Sequence, residues 1–149
     1  MSNKYLVTNK DYITELGLKK SSAWLIPANS IIYSNGATIG AISINKYQIC
    51  TKQGILGIVP NSNIDVEYLY YFMRSSYFQK EVERVVTEGT MRTAYLKDIN
   101  HIKCPIPDLD RQKEISLLFS VLSLKEDVER QLLQKYQIHK QYLLSQMFI

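Results

Sequence analysis

Chemistry in this chain would rest on its histidines, its cysteines and any paired acids and bases, and these are few and scattered. His101 and His139 are the two histidines, and neither has a Cys or His neighbour at metal-ligand spacing. His101 beside Asn100 reads as a hydrogen-bonded structural side chain. Cys50 and Cys104 match neither a metal nor a redox spacing and read as free buried thiols in a reducing compartment. No Gly-x-x-x-x-Gly-Lys phosphate loop and no Gly-x-Gly-x-x-Gly dinucleotide turn occurs. The Asn/Asp-Pro-Pro-Tyr/Phe tetrapeptide of amino-methyltransferases is absent. No lysine has Asp or Glu two residues before it, so the Asp/Glu-x-Lys half of common nuclease sites is missing as well. The expectation is a chain that is not an enzyme, with no catalytic residue, no metal and no cofactor.

Binding is the remaining kind of chemistry. The net charge of +4 suits a polyanion without requiring one. Residues 1–100 carry eleven Lys/Arg against eight Asp/Glu, and residues 101–149 seven against six, so the excess sits in the first part. Eleven tyrosines combine apolar area with a hydroxyl, and most read as core or half-buried strand residues. No apolar run approaches the roughly 18–20 residues of a membrane span. Met1-Ser2-Asn3-Lys4-Tyr5 does not resemble a secretory signal. The expected location is cytoplasmic, away from membranes.

The elements that would position these groups fall into three regions. Trp24 to Pro60 is β-like: Ile31-Ile32-Tyr33 leads to Asn35-Gly36, which predicts a hairpin turn with positive φ. Ile39 to Ile44 and Tyr47 to Cys50 are rich in β-branched and aromatic residues, and Gly54 to Val59 reads as a buried strand ended by Pro60. Residues 64–86 switch to helical spacing, with Asp65 as the cap and Leu69, Phe72 and Met73 on one face. Ser75-Ser76 divides this stretch from a second helix carrying Phe78, Val82 and Val85, and Gly89 ends it. Ile102 to Pro107 predicts an edge strand or extended strap, because its prolines cannot donate to a ladder.

From Arg111 to Met147 there is neither glycine nor proline, which predicts one helix about 55 Å long. Leu117, Leu118, Val121, Leu124, Val128, Leu132, Tyr136, Leu143 and Met147 share one broad stripe, interrupted by Lys135 and His139. Leu122, Leu133 and Leu144 form a second line, eleven residues apart. A helix this long on a small domain is expected to pair with another helix.

Several stretches, in order, resemble the target-recognition domains of type I restriction-modification specificity subunits. Ile26-Pro27-Ala28-Asn29-Ser30-Ile31, followed by Gly36-Ala37-Thr38-Ile39-Gly40, resembles that family's "hydrophobic-Pro-x-Gly-Asp-hydrophobic … Gly-x-x-Gly" passage, with Asn29-Ser30 replacing Gly-Asp. Gln53 sits where the family often has a glutamine. Tyr68-Leu69-Tyr70-Tyr71-Phe72-Met73-Arg74-Ser75 resembles its Tyr-Leu-x-x-x-Leu-x-Ser helix, and Gly89-Thr90 to Leu96 its Gly-Thr-x-x-x-x-x-Leu loop. The close is the most specific part: Ile106-Pro107, Gln112-x-x-Ile115, then Leu143-Leu144 and Phe148. One departure is large, since family members carry two recognition domains, and Met1 to Lys20 resembles the middle of such a domain.

The resemblance implies an α+β fold. Residues 1–107 would be an N-terminally truncated recognition domain with a curved mixed β-sheet and short helices. Residues 108–149 would be a long spacer helix, pairing antiparallel with its counterpart in a homodimer coiled coil through Leu117, Val121, Leu124, Val128, Leu132, Tyr136 and Leu143. It implies a non-catalytic subunit that recognises double-stranded DNA and tethers methyltransferase subunits, which modify adenine with S-adenosylmethionine. Through these it would contact a restriction/translocase subunit. Base-edge readout needs polar side chains in loops beside strands, and cations for phosphates. The candidates are Ser34, Asn35 and Thr38; Thr51, Lys52 and Gln53; and Thr90, Arg92 and Thr93. Arg92 would fork onto guanine, Gln53 onto adenine, and Lys52 would neutralise a phosphate; the plain alternative for each is a solvated turn. Lys19-Lys20 reads as a solvated pair. Two other functions remain compatible: a stand-alone DNA-binding regulator, and a structural, dimerising remnant that binds protein but not DNA.

Overall fold

A computed structural model describes residues 3–36, 38–86 and 94–148. The chain divides into two compact units, residues 1–113 and 114–149. In the first unit, β1 (Tyr5–Leu6), β2 (Ile31–Ser34), β3 (Ile42–Asn45) and β4 (Ile55–Ile58) form a curved mixed sheet in the order β1-β3-β2-β4. The central pair is antiparallel, with Ile31 opposite Ile44 and Tyr33 opposite Ile42. β1 runs parallel to β3, where the Ile44 N–H donates to the Lys4 carbonyl at 2.8 Å. α1 (Glu15–Lys20) follows β1 in the chain, α2 (Val66–Arg74) packs on β2 and β3, α3 (Ser76–Val85) on α2, and α4 (Leu96–Ile99) on α3. α5 (Leu109–Met147) begins in the first unit and makes up most of the second.

Alternation along the strands decides which face is covered. Ile31 and Tyr33 in β2, and Ile42 and Ile44 in β3, are buried with Tyr70 and Met73 of α2 and Phe78 and Val82 of α3. Ala94 and Ile99 complete this core. Burying each large apolar side chain contributes roughly 1.5–3 kcal/mol. Tyr70 and Met73 are the α2 residues buried in this core, and Leu69 and Phe72 pack against it partly buried; Tyr68 is buried outside the cluster, its hydroxyl donating to the Pro105 carbonyl at 2.7 Å.

Capping places the helix boundaries. Asp65 accepts the Tyr68 N–H at 2.8 Å, and Ser75 accepts the Phe78 N–H at 3.2 Å. Ser75 also ends α2 by donating its N–H to the Phe72 carbonyl, so one residue closes one helix and opens the next. Asp108 accepts the Arg111 N–H at 2.9 Å at the start of α5.

Several sequence expectations are corrected. Asn35 and Gly36 form no two-residue positive-φ turn; the β2–β3 connection runs from Asn35 to Ala41, and the positive φ falls on Gly40, at +92°. β4 is an edge strand and only half-buried rather than buried. Within Tyr47–Cys50, Ile49 alone bridges, to Ile26. Of the two forms expected for Ile102 to Pro107, it takes the strap and joins no sheet. Cys50 and Cys104 are free but only half-buried, and burial pushes the Cys104 thiol up. His101 is exposed in the turn after α4.

Candidate nucleic-acid interface

The β2–β4 register brings two of the three polar segments together. Ser34, the last residue of β2, lies opposite Ile55, the first of β4, so residues 34–36 and 51–54 emerge at the same end of the sheet. Asn35 continues the pairing with an N–H to the Gly54 carbonyl at 3.1 Å. Gly54 has φ +85°, and a Cβ on Gly36 would stand 3.4 Å from the Gly54 Cα, so the two backbones pass almost in contact. Within the first loop, the Ser34 and Thr38 hydroxyls lie 3.2 Å apart.

Asn35 also reaches the segment that follows the third cluster. Its carbonyl accepts the Ala94 N–H at 3.1 Å, and its side-chain Nδ2 donates to the Ala94 carbonyl at 2.9 Å. Asn35 thus departs from its expected role in contacting bases: it is 9% exposed and its amide is turned onto protein. Its Oδ1 is buried with no hydrogen-bond partner among the described residues.

The other expected contacts differ in exposure. Thr38, Lys52 and Gln53 are exposed, and Ser34 and Thr51 half-buried. Thr90, Arg92 and Thr93, with Gly89, lie outside the described residues. Sequence reasoning passed over Tyr95 and Lys97. Tyr95 is 50% exposed directly after Ala94, and the Lys97 ammonium sits 5.8 Å from its ring centre. The Tyr-x-Lys spacing next to the third polar cluster was the signal available. A cavity of about 300 Å³ opens beside Thr38, between Gly36 and Ile39 on one side and Gln79, Val82, Glu83 and Val86 on the other. Among the described residues no His/Cys/Asp/Glu group has the arrangement to hold a metal. No described helix is long and apolar enough to cross a membrane.

The most perturbed cation has a structural task. Lys4 Nζ lies 2.8 Å from Glu67 Oε2 and 3.1 Å from the Tyr71 hydroxyl, and Tyr5 donates to the other Glu67 oxygen. Burial works against the Lys4 charge, but the hydrogen bonds to Glu67 and Tyr71 outweigh it and hold the ammonium above its ordinary range. Burial, then the bond to Glu67, pushes the Tyr5 hydroxyl up as well. These contacts fasten β1 to α2. In the second unit, Leu117, Val121, Leu124, Val128, Leu132, Tyr136 and Leu143 are all exposed.

The type I restriction modification DNA specificity domain matches residues 2–136, and the chain belongs to this family. It is 25% identical over 116 residues to the type I restriction enzyme MjaIX specificity subunit of Methanocaldococcus jannaschii, covering 78% of this chain and 27% of that one. It is 28% identical over 121 residues to the EcoR124I/EcoR124II specificity subunit of Escherichia coli, covering 77% and 30%. Among solved structures, a chain from a study of complex assembly and conformational transition in the type I R-M system shares the fold. The TM-score is 0.69 at 16% identity, over 80% of this chain and 29% of that one. The HsdS subunit of Thermoanaerobacter tengcongensis also shares it, with a TM-score of 0.59 at 17% identity over 72% and 25%. The chain spans less than a third of the length of each of these relatives.

Proposed function

We propose that this chain is a DNA-reading part of a type I specificity subunit: it catalyses nothing itself and holds methyltransferase subunits on a chosen duplex sequence. The observation that carries this reading is the meeting of residues 34–36, 51–54 and Ala94 at one end of the sheet. Polar side chains distant in sequence are thereby gathered on one edge, as base-edge recognition requires. Ser34, Thr38, Thr51, Lys52 and Gln53 are the proposed contacts, with Thr90, Arg92 and Thr93 contributed by the segment that ends at Ala94. Tyr95 and Lys97 add an aromatic ring and a cation beside them. Residues 1–107 form the reading domain and residues 108–149 the spacer, whose exposed stripe pairs antiparallel with that of a second copy. The assembly acts in the cytoplasm and reaches a restriction/translocase subunit through the methyltransferase.

The test is selection from a randomised duplex library at two salt concentrations, using the chain assembled with a methyltransferase subunit. Arg92→Ala should relax preference at one base position and cost about 1–3 kcal/mol. Lys52→Ala should weaken all sequences about equally and flatten the salt dependence. Unchanged affinity and preference in both variants would remove these loops from the DNA surface. Losses confined to Lys125, Arg130 or Lys140 would place DNA along the helix instead.

A further inference from the structure

We infer that Asn35 is a positioning residue for sequence readout, locking the start of β4 and the Ala94 segment into one rigid edge without touching DNA. The inference rests on the DNA-reading function proposed above and assigns a part within it. Four observations carry it. The Asn35 N–H is committed to the Gly54 carbonyl at 3.1 Å. Its own carbonyl takes the Ala94 N–H at 3.1 Å. The remaining member of a two-bond pairing, a donor for the Ala94 carbonyl, comes from the side chain at 2.9 Å. The residue is 9% exposed, so none of this is exchanged with bulk water.

The side-chain amide therefore substitutes for a backbone N–H that is already spent. With it, one residue pairs to both sides: to β4 through the main chain, and to Ala94 through main chain and side chain together. Base readout depends on donors and acceptors held to within a fraction of a hydrogen-bond length, and a phosphate contact by a long cation does not. Loosening this clamp should therefore erase discrimination between sequences while leaving charge-driven binding in place.

The experiment uses the full chain assembled with a methyltransferase subunit, comparing Asn35→Ala and Asn35→Asp with the unaltered protein. Asn35→Asp keeps the shape and removes the donor. Both variants should lower the affinity ratio between a selected duplex and its single-mismatch partner about tenfold. Non-specific binding at low salt should change by less than about twofold. Hydrogen exchange on the same proteins should show a faster Ala94 amide, with the amides of Tyr33 and Ile44 still protected. Unchanged discrimination and unchanged Ala94 exchange in both variants would overturn the assignment and leave the DNA-reading function standing. Loss of core protection in both would overturn it too, because Asn35 would then belong to the core. If the unaltered complex shows no preference among duplexes, the DNA-reading function fails, and the positioning role fails with it.

Discussion

Replacing Gln112 by alanine removes a side chain that no water reaches and on which three backbone groups depend. Gln112 is fully buried near the start of α5. Its Oε1 accepts the Asp65 N–H at 2.8 Å, and its Nε2 donates to the Asn63 carbonyl at 2.9 Å and to the Pro107 carbonyl at 2.7 Å. One side chain thus fastens the loop before α2, the strap ending in Pro107 and the first turn of α5 into a single joint. Each buried group left without a partner costs about 1–3 kcal/mol. Asn63 is exposed, Asp65 and Pro107 are half-buried, and truncation to alanine opens room for water, so the low end applies to each of the three, and the sum is about 3 kcal/mol. At about 4 °C per kcal/mol for a unit of this size, Tm should fall by about 12 °C.

Urea unfolding followed by near-ultraviolet circular dichroism reads this directly, because Tyr33 and Tyr70 lie in the core of the same unit. Gln112→Leu is the sharper variant: it fills the space and still leaves all three groups unpaired, so it should be no milder than alanine. Gln112→Glu keeps the acceptor for Asp65 but turns an oxygen toward two carbonyls, and its penalty should shrink as the pH falls and the carboxyl takes up a proton. A loss below about 1 kcal/mol in Gln112→Ala would refute the joint, since it would mean that the three backbone groups find other partners at no cost.

Three further outcomes are expected. A Cβ on Gly57 would stand 2.3 Å from the Cδ1 of fully buried Ile26, so Gly57→Ala should cost about 1–3 kcal/mol in chemical denaturation, and less in an Ile26→Ala background. Tyr5, Tyr33 and Tyr68 are all pushed above 10.0, each first by burial, and Lys4 is raised above its ordinary 10.5. All four bind their protons more tightly folded than unfolded, so their contribution is complete below pH 10 and is lost as pH rises beyond it. Tyrosinate absorbance in an alkaline titration should therefore rise partly in step with unfolding, and ionisation of every tyrosine near pH 10 with the fold intact would contradict this. The exposed α5 stripe should give a dimer in sedimentation that Val128→Lys weakens; a strict monomer in both proteins would contradict it.

The parts of the fold legible in the sequence are those fixed by neighbours along the chain. Asp65 and Ser75 cap helices through bonds to N–H groups three residues on, and the β-branched runs of β2 and β4 declare themselves locally. α5 is legible because nothing in it interrupts a helix. What escaped depends on distant partners. β1 is two residues long and exists through its pairing with β3, nearly forty positions later. α1 buries no residue and so shows no apolar period. On α2 the predicted face holds, with Met73 in the core and Leu69 and Phe72 packed against it, and Tyr70 is the core residue that spacing did not single out. At the candidate site the residue types were legible and the burial was not: Asn35 reads as a turn residue until Gly54 and Ala94 close over it.

Asn35, Asn45 and Gln112 solve one problem in three places. Asn45 is fully buried, accepts the Ser30 N–H at 2.7 Å, and donates to the carbonyls of Pro27 at 2.7 Å and Tyr47 at 2.9 Å. Like the other two, it sits where irregular backbone meets a strand or helix and the ordinary ladder runs out. A carboxamide has a peptide's acceptor and a peptide's donor on a short tether, so it pairs stranded backbone groups as a spare peptide unit would. A carboxylate there would bury a charge, and a hydroxyl would supply one donor where Asn45 and Gln112 each supply two. At the end of the sheet where Ser34 meets Ile55 it is Asn35 that carries shape, while Asn45 serves the opposite end beside Ser30, so the exposed side chains next to Asn35 are released from carrying it. Substitutions at Thr38, Lys52 or Gln53 should therefore leave stability within about 0.5 kcal/mol while altering what the edge binds. Substitution of Asn35 should move the backbone on which those side chains stand.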